Sequence, residues 1–177
     1  MSQQDVEVTD AEDVLAVSRE FDTEAYLLCA LMWAGKDHPP SDRVCGFLQP
    51  ADFFDPHHGA LFGFLASRRS AGHPTDPVSL NSALSALGDE APLPRHVGRH
   101  LLMSLSTLSV PAELVTDYAD QVLGESYRRQ YQAMAQAVTH AGESAREERL
   151  FDILVDHGRA QRAAWERRQS FRTRESE

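Results

Sequence analysis

Along most of this chain apolar residues return at intervals of three and four, the period of a helix with one buried side. Leu27, Leu28, Leu31 and Met32, with Trp33 beside them, predict a helix from Glu24 to about Gly35, with Thr23 as its N-cap. The segment KDHPPSD reads as a loop whose two prolines exclude helix. Ser41 then opens a short helix through Val44 and Phe47 to Leu48. Gln49–Phe54 reads as one tight turn whose two phenylalanines plug the core. Asp55-Pro56 and Asp76-Pro77 write two further helix starts in the same code. In each, a carboxylate accepts from the orphan amides of the first turn, and the proline gives up an amide that had no partner anyway. The first of these helices presents Leu61, Phe62, Phe64 and Leu65 and stops at Gly72. The second presents Leu80, Leu84 and Leu87, with Gly88 as a left-handed cap. After the loop GDEAPLPRH, a helix from Arg95 to Leu105 shows Val97, Leu101, Leu102 and Leu105.

Past Pro111 the pattern changes length. Leu114, Tyr118, Val122, Tyr127, Tyr131, Met134, Val138 and Ala141 form one stripe about 30 residues long, more than twice an ordinary helix, which Gly142 is expected to end. Ser144 and Glu147 have capping-box spacing for a return helix striped by Leu150, Ile153, Leu154, His157, Ala160 and Ala164, with Trp165 adjoining. So short a connection forces the two helices antiparallel. The expected fold is all-α, a compact globule of about five to six short helices followed by a long helical hairpin. Its divisions are an acidic, aperiodic and disordered tail (1–21), the globule (22–108), the hairpin (109–168) and a charged flexible tail (169–177). A lone two-helix hairpin cannot bury both stripes, so the seam of Tyr118, Val122, Tyr127, Tyr131, Met134, Leu150, Leu154 and Trp165 is the candidate interface.

Charge and chemistry narrow the function. The net charge of −10 argues against a surface built to neutralise phosphates. It is uneven, because residues 1–24 hold eight acids against Arg19 alone and the remainder carries only −3. Arg128 and Arg129 are the candidate contacts to a partner or to nucleic acid, against the plainer reading of a solvated helix face. Cys29 and Cys45 lie in apolar patterns without CxxC spacing and read as buried thiols. With no apolar run near the 18 residues or so of a membrane span, and no secretory leader, the expectation is a soluble, cytoplasmic protein. His57-His58, near Asp52 and Asp55, invites a metal. Adjacent helical histidines diverge by about 100°, however, and no third ligand is spaced for one, so no metal and no cofactor is expected. No nucleophile-elbow sequence is present, and no catalytic residue is assigned.

The order of elements and the wording of residues 49–80 resemble the N-terminal domain of the DnaB family of bacterial replicative helicases. Pro50, Asp52, Phe53, Phe54, His57, His58, Leu61 and Phe62 carry the likeness, followed by Gly72, Pro74, Asp76, Pro77, Val78 and Leu80. EAYLLCALMW is similar to the opening helix of that family and DYADQVLGESYRRQ to its hairpin entrance, so the likeness spans about residues 22–168. The resemblance implies a non-catalytic domain whose hairpins pair between subunits into a collar that docks primase, with nucleotide hydrolysis in a separate RecA-like domain. No GxxxxGK[ST] loop occurs, and the single lysine, Lys36, lacks the neighbours it would need. The reading is therefore a self-associating module, dimer or higher, for a replicative helicase or primase. Its rivals are a fragment or relic of a longer helicase and a single-stranded DNA-binding accessory protein.

Overall fold

A computed structural model describes residues 22–173, and the acidic tail expected over 1–21 lies outside them, as do residues 174–177. Among the described residues there are seven α-helices and no strand, the all-α class.

Helix α1 (Thr23–Trp33) is the axle. Six consecutive residues, Leu27 to Met32, are buried, so the helix is covered on every side rather than along one stripe. Its N-cap is Asp22, which accepts from Ala25 N at 3.1 Å. The expected cap, Thr23, instead donates its hydroxyl to Glu125 at 3.3 Å. Helix α2 (Pro39–Phe47) corrects the expectation for KDHPPSD, because Pro39 and Pro40 are its first two residues. A proline clashes with the carbonyl four residues back, and in the first turn no such helical carbonyl exists. The amides of Ser41 and Asp42 both reach His38 O, at 3.0 and 3.2 Å.

A single 3-10 turn, Pro50–Asp52, follows. Phe53 is buried, with its ring 4.9 Å from that of Phe62, while Phe54 points to solvent. Only one of the two phenylalanines plugs the core, because adjacent side chains leaving a turn diverge. Helices α3 (Pro56–Ser70) and α4 (Pro77–Leu87) begin as the Asp-Pro code requires. Asp55 accepts from His57 N at 2.7 Å, and Asp76 from Val78 N and Ser79 N at 3.1 and 3.0 Å. Gly59 of α3 faces the 3-10 turn, where an added Cβ would stand 2.5 Å from Pro50 O. Arg69, buried at the end of α3, binds Asp42 at 2.6 Å and the carbonyls of Ala34, Gly35 and His38, so it ties down the α1–α2 loop. Burial raises the Cys29 thiol and pushes that of Cys45 up to about 12, which keeps both protonated.

Helix α5 (Arg95–Ser106) closes the globule, and two long helices complete the chain, α6 (Val115–Ser144) and α7 (Glu147–Thr173). Helix α6 runs through Gly142 and ends two residues later. One isolated glycine costs only about 1 kcal/mol, too little to break a packed helix. The first half of α6 is core, since Val115, Ala119, Val122 and Leu123 join the cluster built around α1. The charged tail expected from residue 169 is corrected as well. Helix α7 continues to Thr173, and Phe171 is fully buried, 5.1 Å from the Phe47 ring and beneath the Arg43 guanidinium. One aromatic residue among arginines is enough to dock the helix end, and a lone residue leaves no period to read.

Candidate interaction surface

Two helices that leave a globule together need a fixed root. Here the root is built on Asp52, the last residue of the 3-10 turn. Its carboxylate is almost fully buried and takes a bidentate pair of bonds from Arg167 of α7, both 2.7 Å. Gln49 N donates to it at 2.8 Å, and Ser126 of α6 approaches at 3.4 Å. The Asp52 carbonyl accepts from Arg129 of α6, and Arg167 also donates to Phe47 O at 3.0 Å. A buried ion pair is favourable only when its spare lone pairs and protons are met, and these are. The Pro-Ala-Asp turn thereby binds both helices of the arm at once. Beside it α6 and α7 touch closely, because Gly124 has no Cβ and one would lie 2.9 Å from Arg168. A second latch brings Arg172 to 3.2 Å from Asp120.

Beyond this root the arm thins into two helices with no other cover among the described residues. The proposed seam splits accordingly. Val122 is corrected, being fully buried in the shared core with no surface to offer. Tyr118 stacks on Tyr26 at 5.7 Å and lies partly within the globule. Tyr127, Met134 and Leu150 are half-buried. Tyr131 (53% exposed), Leu154 (54%) and Trp165 (49%) stand out to solvent, together with Phe151 (73%), which the stripe reading missed because it falls one position off the period. Arg128 is exposed. Arg129 is already occupied, bonded to the Asp52 carbonyl with its guanidinium 5.6 Å from the Phe54 ring.

Near the arm root Asp22, Glu24 and His58 bring ligand atoms within 4.8 Å of one another. Their hydrogen bonds describe a satisfied ion pair. Glu24 accepts from His58 Nδ1 at 3.0 Å and from the amides of Phe54 and Asp55, while Asp22 caps α1. Burial alone would depress His58. The bond to Glu24 and the charges of Asp22 and Asp55 outweigh it and hold the imidazole above its ordinary value. Burial likewise opposes the Glu24 charge, and the same bond with the two backbone amides holds the carboxyl below its ordinary value. The metal reading therefore has its residues drawn together differently from what the sequence suggested. His58 pairs with Glu24, 34 positions away, while His57 stays at the surface beside Asp55. No helix among the described residues is long and apolar enough to cross a membrane.

The sequence matches the DnaB-like helicase N-terminal domain family over residues 17–124, ending where the arm leaves its root. Among solved structures, the crystal structure of the N-terminal domain of DnaB helicase from Mycobacterium tuberculosis has the same fold. Its TM-score is 0.60 at 21% identity, over 78% of this chain and 92% of that one. A search of curated proteins gave no match.

Proposed function

The chain belongs to the family of DnaB-like helicase N-terminal domains, and from that premise we propose that it is a non-catalytic association module of DNA replication, working through the outer half of its arm. The observation that carries this reading is the exposure of Tyr131, Phe151, Leu154 and Trp165 on a projection clamped at its base. Large apolar side chains held on a rigid element are the usual anchors of protein interfaces. A second copy supplies a matching face by symmetry, which makes a dimer the smallest assembly that covers them.

Light scattering on the chain tests the reading. A dimer or larger species is expected, and Tyr131→Glu with Leu154→Glu is expected to shift it to monomer with unchanged helical circular dichroism. A monomeric parent at tens of micromolar would overturn it. The replication partners proposed are a replicative helicase and primase, and co-elution with neither would remove that part alone.

Direct binding of single-stranded DNA is the weaker reading. Along α7, Arg149, Arg159 and Arg162 sit against Asp152, Asp156 and Glu166 of their own helix. The chain's similarity to a helicase N-terminal domain favours one other reading, a segment of a longer helicase. That reading predicts an in-frame motor segment after Glu177 in the encoding DNA.

A further inference from the structure

Helix α5 carries two histidines on one face. His96 and His100 stand four positions apart in its opening RHVGRH, the offset at which helical side chains are neighbours and at which helical zinc motifs place their histidine pair. Val97 and Leu101 beside them pack against the core, which fixes the rotation of the helix and leaves both imidazoles exposed. Arg95 and Arg99, the cations that would repel a metal ion, line grooves on the α4 side instead. Facing the histidine pair is the first turn of α3. Asp55, His57, His96 and His100 wall one open cavity of about 560 Å³, completed by Val97 and Leu101. Among the described residues the His96 and His100 rings have no hydrogen-bond or ion-pair partner. The His57 ring meets Asp55 through Nδ1 at 3.4 Å, and its Nε2 is unpaired among the same residues.

We propose that His57, His96 and His100 form a binding site for one divalent transition-metal ion of the zinc class. Imidazole nitrogen suits zinc, copper and nickel, and three protein ligands with a water in the fourth position are the usual set of an open zinc site. The helix pair by itself is a two-ligand site, and His57 is what closes it. Asp55 stands on the Nδ1 side of His57, so Nε2 is left for the ion. That is the carboxylate–histidine–metal order by which an orienting acid fixes the ring and raises its basicity. The divergence that keeps His57 and His58 from sharing an ion sends His58 inward to Glu24 and leaves His57 on the cavity. Spacing along the chain shows no further ligand near His57 because the other two come from α5, far downstream. Among the described residues only Asp22, Glu24 and His58 hold three ligand atoms within 4.8 Å of one another as they stand. That set is spent on the Glu24–His58 bond and the α1 cap. The three exposed rings instead turn between staggered rotamers and close on an ion as it arrives. An ion here pins the first turn of α3 to the first two turns of α5. This proposal is independent of the association reading.

The test titrates the full chain, first stripped with a chelator, with zinc ion alone, followed by calorimetry and by the imidazole signals of the histidines in nuclear magnetic resonance. One ion per chain is expected. The ring signals of His57, His96 and His100 should move together while those of His58 stay in place. His57→Ala, His96→Ala and His100→Ala should each weaken binding by about tenfold or more, since even groups that merely orient a ligand cost that much. His58→Gln should leave the affinity unchanged. The thermal midpoint of the parent should rise with zinc concentration and that of His96→Ala should not. No saturable binding at millimolar zinc would overturn the proposal. So would an affinity indifferent to His57→Ala, which reduces the site to an exposed helix pair. A requirement for His58 would move the ion to Asp22 and Glu24, and one ion to two chains would make it a bridge between copies; either result overturns the proposal too. The three substituted histidines are exposed, so unchanged helical circular dichroism separates a lost ligand from a lost fold. The ring signals identify the ligands in the parent without any substitution.

Discussion

At the scale of single residues, two positions carry the architecture in ways their neighbours in sequence do not announce. Asp52 holds both arm helices through one carboxylate. Asp52→Asn keeps the volume but leaves the Arg167 guanidinium facing a neutral amide. We expect a loss of about 2–3 kcal/mol, less than for a fully buried pair because Arg167 is partly solvated. Urea denaturation measures it, and a loss under about 0.5 kcal/mol would mean the clamp is ornamental. Gly59→Ala should cost about 1–3 kcal/mol, although alanine is the better helix former, because the Cβ meets the Pro50 carbonyl, a backbone atom that moves only with the whole turn.

The Glu24–His58 pair sets a pH window. His58 is raised above its ordinary 6.5, so its contribution is complete below that value and fades as pH climbs through the folded value. Glu24 is lowered from 4.5, so its contribution is complete above 4.5 and fades as pH falls through the folded value. The stability difference between the parent and His58→Gln should therefore be largest between about pH 4.5 and 6.5 and shrink on both sides. A difference that stays unchanged well below pH 4.5 and well above pH 6.5 would disprove the linkage.

At the scale of elements, the arm is two things joined end to end. Its root is core, and its outer half is a pair of helices with each other for cover. Phe171→Ala, at the far end of the chain from the core's first residue, should cost about 3 kcal/mol, as for other fully buried phenylalanines, and release the last turns of α7. Hydrogen exchange reads that release directly, as early exchange confined to the end of α7. The seam residues obey the same division. Val122→Ala should lower stability without changing oligomeric state, whereas Trp165→Glu should change oligomeric state at little cost to stability. The reverse pattern would show the interface to be at the root.

At the scale of the molecule, one hydrophobic cluster runs from Leu27 to Phe171 and makes globule and arm root a single cooperative body. Thermal unfolding followed by far-ultraviolet circular dichroism and by aromatic fluorescence should give coincident transitions. The outer arm should exchange its amides first, since little of it is buried. Two separate transitions would restore the boundary at residue 108 that the sequence suggested.

Local signals were legible without any structure. The two Asp-Pro starts, the stop at Gly72, α5 and the length of α6 all follow from capping chemistry and from a period that each segment satisfies by itself. The candidate surface was half legible. The stripe found Tyr131, Leu154 and Trp165 but could not separate them from Val122, because periodicity says which face is apolar and not what lies against it. Phe54 and Phe151 were missed for the same reason. Asp52, Arg167 and the Glu24–His58 pair lie 34 to 115 positions apart in their partnerships, and a charge in a sequence looks alike whether it is solvated or clamped. The chain's order thus determined which segments coil and where each begins. Which apolar faces are spent in the core and which stay open was decided only when distant segments met, since burial is a property of the pair and not of either strip alone.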